Sequence, residues 1–133
     1  MRKLAIETDI NIQYINSLSP GVGLCLWAHS NNGSIISTGT ILGEKKITSE
    51  TLGRTAAHIM INYIENKIPV DNYLSDQLIP LMAYVDGSSK IRVLEITSHT
   101  KTNLDLIQMF TNRKYNISKS HNSFLIELES QIS

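Results

Sequence analysis

The sequence has little cysteine, no net charge and no long apolar run, and each absence excludes a class of protein. Its 133 residues include one cysteine, Cys25, so an internal disulfide is excluded and a cytoplasmic protein is expected. Twelve Lys and Arg balance twelve Asp and Glu, so any contact with a nucleic acid must be local. The opening MRKLAIETDI has no continuous hydrophobic stretch, and we expect neither a signal peptide nor a spanning helix.

Standard chemical motifs are also missing. The sequence contains no G-x-x-x-x-G-K-[ST] loop, which would cradle phosphate, and no glycine pattern of the dinucleotide-binding type. No pair of His or Cys has the spacing of metal ligands, so the residues themselves predict no metal site. Standard motifs alone therefore indicate no function for this sequence.

What is present is a series of strand and helix patterns that indicates the α+β class. Apolar residues at alternate positions between Ala5 and Tyr14 predict a first strand. The runs VGLCLWAHS and SIISTGTIL predict a hairpin that turns at Asn31, Asn32 and Gly33. A helix should follow from Thr48 or Ser49 to near Lys67, with an apolar face formed by Leu52, Ala56, Ile59 and Tyr63.

Beyond Pro69, which can mark a boundary between two halves, a second set of elements is predicted. Asp71 can cap a helix whose buried stripe is formed by Leu74, Leu78, Leu81 and Met82. KIRVLEI alternates like a strand, and TNLDLIQMF predicts a helix in which Thr102 and Asp105 have capping-box spacing. YNISKS and SFLIEL predict a closing hairpin. Trp27 is expected in the core, and Arg113, Lys114 and Lys119 on a solvated rim.

Two groups of side chains are candidates for function. Tyr73, Asp76 and Gln77 lie at i, i+3 and i+4, so they share one face of the second predicted helix. That face could stack a base on the tyrosine and read its edge, but a solvated helix surface has the same pattern.

The second candidate is His99, in SHTKTN, which follows a predicted strand and precedes a predicted helix. Unpaired N–H groups at a helix N-terminus attract phosphate, and a neutral imidazole beside them could attack phosphorus. A lone histidine is nevertheless more often structural, and His29, His58 and His121 have neighbours that suggest no chemistry.

A resemblance favours the functional interpretation of both groups. VDNYLSDQLIPLMAY and the later EITSHTKTN are similar to the C-terminal signature of RNA 3′-terminal phosphate cyclases. Upstream, GVGLCLWAHSNNGSIISTGTILGEKKITSETLGRTAA resembles the strand hairpin, Leu-Gly-basic turn and following helix of the same family. Ile47 stands where family members commonly have a glycine, which affects a loop and no catalytic position.

The resemblance implies a reaction on RNA ends. A histidine attacks the α-phosphate of ATP in the presence of a divalent metal, Mg or Mn, and holds AMP covalently; His99 matches that histidine. AMP then passes to an RNA 3′-phosphate, which closes to a 2′,3′-cyclic phosphate. Tyr73, Asp76 and Gln77 match residues that border the adenosine pocket.

The resemblance also implies a domain organisation and a missing portion. Residues 1–67 match the C-terminal part of an inserted small domain, with a strand hairpin and a helix. Residues 68–133 match the last part of the catalytic domain, a helix-helix-strand-helix-hairpin unit. The other ATP and phosphate contacts belong to N-terminal repeats, so the chain is expected to be a fragment or the product of a split gene.

Three further expectations concern partners and the competing function. A separate N-terminal cyclase chain should complete the enzyme, or the exposed edges should cause self-association, and no membrane is involved. The competing hypotheses are a non-catalytic cyclase-like protein of ribosome biogenesis, and a structural remnant of a split gene. His99 favours the enzyme, because the non-catalytic relative lacks that histidine.

Overall fold

The computed structural model describes residues 6–130, and in this part of the chain helices alternate with short antiparallel strands. The α+β class predicted from the sequence is therefore confirmed. In chain order the elements are β1 (Gly23–Leu24), β2 (Trp27–His29), β3 (Ile35–Ser37), β4 (Ile41–Leu42), α1 (Ser49–Glu65), α2 (Asn72–Met82), β5 (Ser89–Val93), α3 (Ser98–Thr111), β6 (Tyr115–Ser120) and β7 (Ser123–Leu128). None of the helices in this described range is long and apolar enough to cross a membrane.

The strand predicted between Ala5 and Tyr14 is wrong for residues 6–14, which form no strand; Ala5 lies outside the described residues. Its alternating apolar side chains, such as Ile10, Ile12 and Tyr14, are exposed. A strand needs a neighbouring strand for its backbone hydrogen bonds, and within residues 6–130 none lies beside this segment.

The first hairpin is confirmed. β2 pairs with β3, Ala28 opposite Ile36, and β1 pairs with β4 farther from the turn. Gly33 has φ of +87°, a conformation that glycine adopts without a Cβ clash, so the turn forms where Asn31–Gly33 indicated.

Helix α1 also has the predicted limits. The Thr48 hydroxyl accepts a hydrogen bond from the Thr51 N–H at 3.2 Å and caps the helix. Met60 and Tyr63 of α1 pack with Ile36 and Ile68 in a first apolar cluster. This helix therefore covers one face of the hairpin.

The second apolar cluster lies between α2, α3 and a three-stranded antiparallel sheet of order β5-β7-β6. Ile126 in the central strand is fully buried and lies opposite Ile91 on one side and Ile117 on the other. The cluster consists of Val70, Ile79, Met82, Val93, Leu104, Ile107, Ile126 and Leu128. The two clusters divide near Pro69, and the assignment of residues 1–67 and 68–133 to two family domains stays a prediction.

Some details differ from the sequence prediction. Between α1 and β5 the structure has one helix, α2, so a second helix before the strand is not found in the described residues. Leu81, expected in the buried stripe, is exposed because the buried face of α2 is formed by Ser75, Ile79 and Met82. Trp27, expected in the core, is 61% exposed.

Arg113 is the largest departure, since it is only 2% exposed and does not belong to a solvated rim. Its guanidinium donates hydrogen bonds to backbone carbonyls at the end of α2, in the loop before β5 and after β7. The acceptors are Met82, Ala83, Val85, Gly87 and Glu129, at 2.6–3.2 Å. Arg113 thus joins three chain segments by satisfying their carbonyl groups.

Candidate active site

His99 is the second residue of α3, so it lies inside the first helical turn and not before it. The N-cap is Thr97, whose hydroxyl accepts a hydrogen bond from the Thr100 N–H at 2.9 Å. The capping box predicted at Thr102 and Asp105 is therefore wrong, and both residues lie within the helix. Thr97, two residues before His99, is the sequence feature that indicates the start of α3.

The surroundings of His99 suit an anionic ligand. His99 is exposed, and α3 has no acidic residue in its first turn. The first N–H groups of a helix lack intrahelical acceptors and carry the positive end of the helix dipole. A phosphate beside His99 would meet both features, and the exposed side chain can reach it.

Asp76 links α2 to this first turn. Its Oδ1 atom accepts hydrogen bonds from the hydroxyl of Thr97 at 2.7 Å and from the hydroxyl of Thr100 at 2.6 Å. The side chain is half-buried between the two helices. Asp76 therefore lies against α3, and it does not share the open surface of α2 with Tyr73 and Gln77 as their spacing suggested.

Tyr73 and Gln77 are both exposed on α2. The Tyr73 ring lies over Gly39, in the loop between β3 and β4, where a Cβ would come within 2.7 Å of Cζ. Gly39 has φ of +66°, so both its conformation and this contact favour glycine. Tyr73 remains 59% exposed, which leaves part of its ring free to stack on a flat ligand.

Asp71 has a second function that its capping role did not reveal. Its Oδ1 accepts from the Leu74 N–H at 2.9 Å and caps α2, while its Oδ2 accepts from the Ser37 N–H at 2.8 Å. Asp71 is buried, so this contact fixes the end of β3 against the start of α2. The local sequence indicates the cap but not this contact, because Ser37 lies 34 residues before Asp71 in the chain.

The structure therefore brings Asp76 to the turn that carries His99, whereas no hydrogen bond among residues 6–130 joins Tyr73 or Gln77 to α3. In the same range, no group of three His, Cys, Asp or Glu side chains could hold a metal ion. The described residues thus place an exposed histidine at the start of α3 and an exposed tyrosine and glutamine on α2, and they contain no complete set of metal ligands.

Comparison with known proteins identifies similar chains. The family model of RNA 3′-terminal phosphate cyclase matches residues 2–117. The chain is 34% identical over 130 residues to the RNA 3′-terminal phosphate cyclase of Pyrobaculum aerophilum, which covers 97% of this chain and 37% of that relative. It is 36% identical over 118 residues to the cyclase of Methanosarcina acetivorans, covering 89% of this chain and 31% of the relative. A third relative, from Thermococcus gammatolerans, is 36% identical over 112 residues, or 84% of this chain and 30% of the relative. The chain thus spans about a third of the length of the curated relatives it matches.

Proposed function

This chain belongs to the RNA 3′-terminal phosphate cyclase family, and from that premise we propose that it forms the C-terminal portion of such an enzyme, with His99 as its nucleophile. The observation that carries the proposal is the setting of His99. The residue is exposed in the first turn of α3, where free N–H groups attract phosphate, and hydrogen bonds to Asp76 hold that turn. This setting also favours an enzyme over a non-catalytic cyclase-like protein of ribosome biogenesis or a structural remnant of a split gene.

The proposed first step joins an imidazole nitrogen of His99 to the α-phosphorus of ATP. The new N–P bond forms as the bond between the α-phosphorus and the bridging oxygen breaks, and pyrophosphate leaves with that electron pair. An oxygen of the RNA 3′-phosphate then attacks the same phosphorus, and the N–P bond breaks with its electron pair returning to the imidazole, so that AMP passes to the RNA. The neighbouring 2′-hydroxyl attacks the activated phosphate, loses its proton and expels AMP, which leaves a 2′,3′-cyclic end.

In this proposal Tyr73 and Gln77 border the adenosine. The exposed part of the Tyr73 ring provides a stacking surface, and the ring is supported from below by Gly39. Gln77 supplies an amide that can donate to and accept from a base edge. Asp76 is expected at the same pocket, although its Oδ1 already accepts two hydrogen bonds from α3.

The divalent metal expected for the reaction does not fit the described residues. No cluster of three suitable side chains exists in residues 6–130. Asp76 is the one carboxylate among the site residues, and its Oδ1 already accepts two hydrogen bonds, whereas Mg²⁺ prefers several carboxylate, phosphate and water oxygens.

A separate upstream portion of the enzyme is the partner that we propose. The chain spans about a third of its relatives, and exposed apolar side chains offer surface for the remainder. They include Ile10, Tyr14 and Leu18 before β1, and Met109 and Phe110 on α3. Self-association through the same surfaces is the alternative, and the cytoplasmic location stays a prediction.

The test supplies that upstream portion from a relative, as a separate chain or by fusion, and adds ATP labelled at the α-phosphate. The completed protein should become labelled, and the bond should be acid-labile and alkali-stable, as expected for a phosphoramidate. The 133-residue chain alone should neither take up label nor cyclise RNA, because most phosphate contacts are missing. His99→Asn should abolish labelling in the completed protein.

His121→Asn is the matched control. His121 is an exposed histidine at the β6–β7 turn with φ of 54°, and asparagine tolerates that conformation well. Labelling should be unchanged by His121→Asn. Tyr73→Ala, which removes the proposed stacking surface, should weaken nucleotide binding by about 1–3 kcal/mol. Undiminished labelling of the His99→Asn protein would show that another group is the nucleophile.

A further inference from the structure

Asp76 contacts α3 at three points, two through its side chain and one through its backbone. The carboxylate accepts from the hydroxyls of Thr97 and Thr100, and the backbone carbonyl accepts from the Asn103 side-chain amide at 3.1 Å. Two adjacent turns of α3 are therefore attached to one residue of α2.

Pro80 explains why that carbonyl is available. In a regular helix the N–H of residue 80 would donate to the carbonyl of residue 76, but proline has no N–H. The carbonyl of Asp76 would then lack its intrahelical donor, and Asn103 takes that place. The proline in α2 thus has a packing consequence, because it leaves an acceptor that α3 uses.

The two hydroxyl groups held by the Asp76 carboxylate flank His99 in the sequence. Thr97 is the N-cap, and its oxygen also accepts from the Thr100 N–H, so the hydroxyl that donates to Asp76 is the one that caps the helix. Hydrogen bonds to a carboxylate are stronger than those between neutral groups. Thr100 is fully buried, which keeps water from replacing its bond to Asp76.

We propose that Asp76 is a positioning residue, which fixes the first turn of α3 and thereby the direction in which His99 presents its imidazole. This inference rests on the proposed function only in naming His99 as the nucleophile. It goes beyond the pocket-border role expected for Asp76, because the carboxylate acts on the histidine through Thr97 and Thr100.

The first experiment needs no catalysis and uses the 133-residue chain. Amide hydrogen exchange is measured for Thr100 in the unchanged chain and in Asp76→Ala, Asp76→Asn and Thr100→Val. Asp76→Ala removes the acceptor of two hydrogen bonds and should speed exchange of this amide about tenfold or more, since losing one hydrogen bond to a charged group already corresponds to about a factor of ten. Asp76→Asn keeps an acceptor oxygen and should restore most of the protection.

Asp105→Ala is the matched control, since it removes another carboxylate from the same region. Asp105 is exposed, and its contacts are to Lys101 and Tyr115, not to the N-cap. The Thr100 amide should exchange at its usual rate in this variant. Unchanged exchange in both Asp76→Ala and Thr100→Val would overturn the proposal, whatever the labelling experiment shows.

The second experiment separates positioning from nucleotide contact in the completed protein. Asp76→Ala should slow His99 labelling on the order of 100-fold, the size of effect that small misplacement of a reacting group can cause. ATP affinity, measured in a His99→Asn background so that no label forms, should fall by a much smaller factor than the labelling rate. Thr100→Val, which makes no contact with nucleotide in this proposal, should slow labelling in the same way.

The two experiments fail in different ways. If weaker ATP binding accounted for all of the slower labelling in Asp76→Ala, Asp76 would be a nucleotide contact and its positioning role would be overturned. Labelling that persists in His99→Asn would overturn the proposed function instead, while the exchange rates of Thr100 would still report whether Asp76 holds the turn.

Discussion

The first part of the chain, residues 6–67, and the second part, residues 68–130, are stabilised differently. Strands in the first part are two or three residues long and form two separate pairs, whereas those in the second part are five or six residues long and form one sheet. The second part also encloses a continuous apolar cluster between its sheet and two helices. The first part depends on one helix against a hairpin, with an exposed apolar segment before it.

This difference shows how the candidate site is supported. His99, Tyr73 and Gln77 are exposed, yet they project from helices whose other faces are packed in the second cluster. The first part adds two supports at the start of α2, the Ser37 N–H bound by Asp71 and the Gly39 surface under Tyr73. A firm frame thus holds side chains that stay open to a ligand.

Removing the guanidinium of Arg113 should have the largest effect and should reduce the stability of the second part towards that of the first. Arg113→Met keeps an apolar stem but leaves five carbonyl groups without their donor. The free energy of unfolding should fall by about 4 kcal/mol. Urea unfolding followed by circular dichroism measures this loss.

Lys114→Met is the control for Arg113→Met, because Lys114 is the next residue and is exposed. The free energy of unfolding of this variant should change by no more than about 0.5 kcal/mol. In Arg113→Met, the loss of stability should also appear as faster amide hydrogen exchange in β5 and β7. An equal change in the two variants would mean that the buried hydrogen bonds of Arg113 contribute nothing measurable.

Much of the fold could be predicted from local patterns. The limits of α1, the turn at Asn31–Gly33, the strand in KIRVLEI and the closing hairpin all follow from periodicity, capping residues or turn chemistry. These signals succeed because neighbouring residues determine them. The four elements concerned are stabilised mainly by contacts that such patterns describe.

The wrong predictions occur where contacts between residues far apart in the chain determine the structure. Alternation between residues 6 and 14 suggests a strand, but pairing requires a neighbour that the sequence pattern cannot supply. Arg113 looks like a surface residue until the carbonyls of α2 and of the chain after β7 surround it. Trp27 is apolar, yet the short hairpin leaves it 61% exposed.

Sequence patterns indicate which elements carry the candidate residues more readily than they indicate the contacts of those residues. The sequence predicts His99 just before a helix, but the helix begins earlier because Thr97 caps it. The spacing of Tyr73, Asp76 and Gln77 suggested one open face. It could not show that the Asp76 side chain is held by Thr97 and Thr100 of another helix.

A pair of cavity-forming substitutions gives an intermediate effect and measures the difference between the two parts directly. Ile126→Ala in the second cluster should lower the free energy of unfolding by about 3 kcal/mol, and Ile36→Ala in the first by about 2 kcal/mol. Ile126 is enclosed on both sides by strands, whereas the short hairpin around Ile36 can collapse into the space. Chemical denaturation of both variants gives the two values. A larger loss for Ile36→Ala would reverse the proposed order of stability.

The smallest effect concerns Tyr63, which joins the two parts. Its hydroxyl accepts from the Asn72 N–H at 3.4 Å, and burial raises the pKa of Tyr63 above 10.0, opposed by that hydrogen bond. Because the pKa in the folded protein is raised, the stabilising contribution is complete below pH 10 and is lost as pH rises through the folded-state pKa. Tyr63→Phe should lower the free energy of unfolding by about 1 kcal/mol at neutral pH and should reduce the loss of stability at alkaline pH.

Tyr84→Phe, at an exposed position, is the control and should change neither quantity. The comparison is made by urea unfolding from pH 8 to 11. If Tyr63→Phe retained the whole alkaline loss, ionisation of Tyr63 would not contribute to it, and the junction between the parts would owe its stability to Asp71 and the apolar contacts.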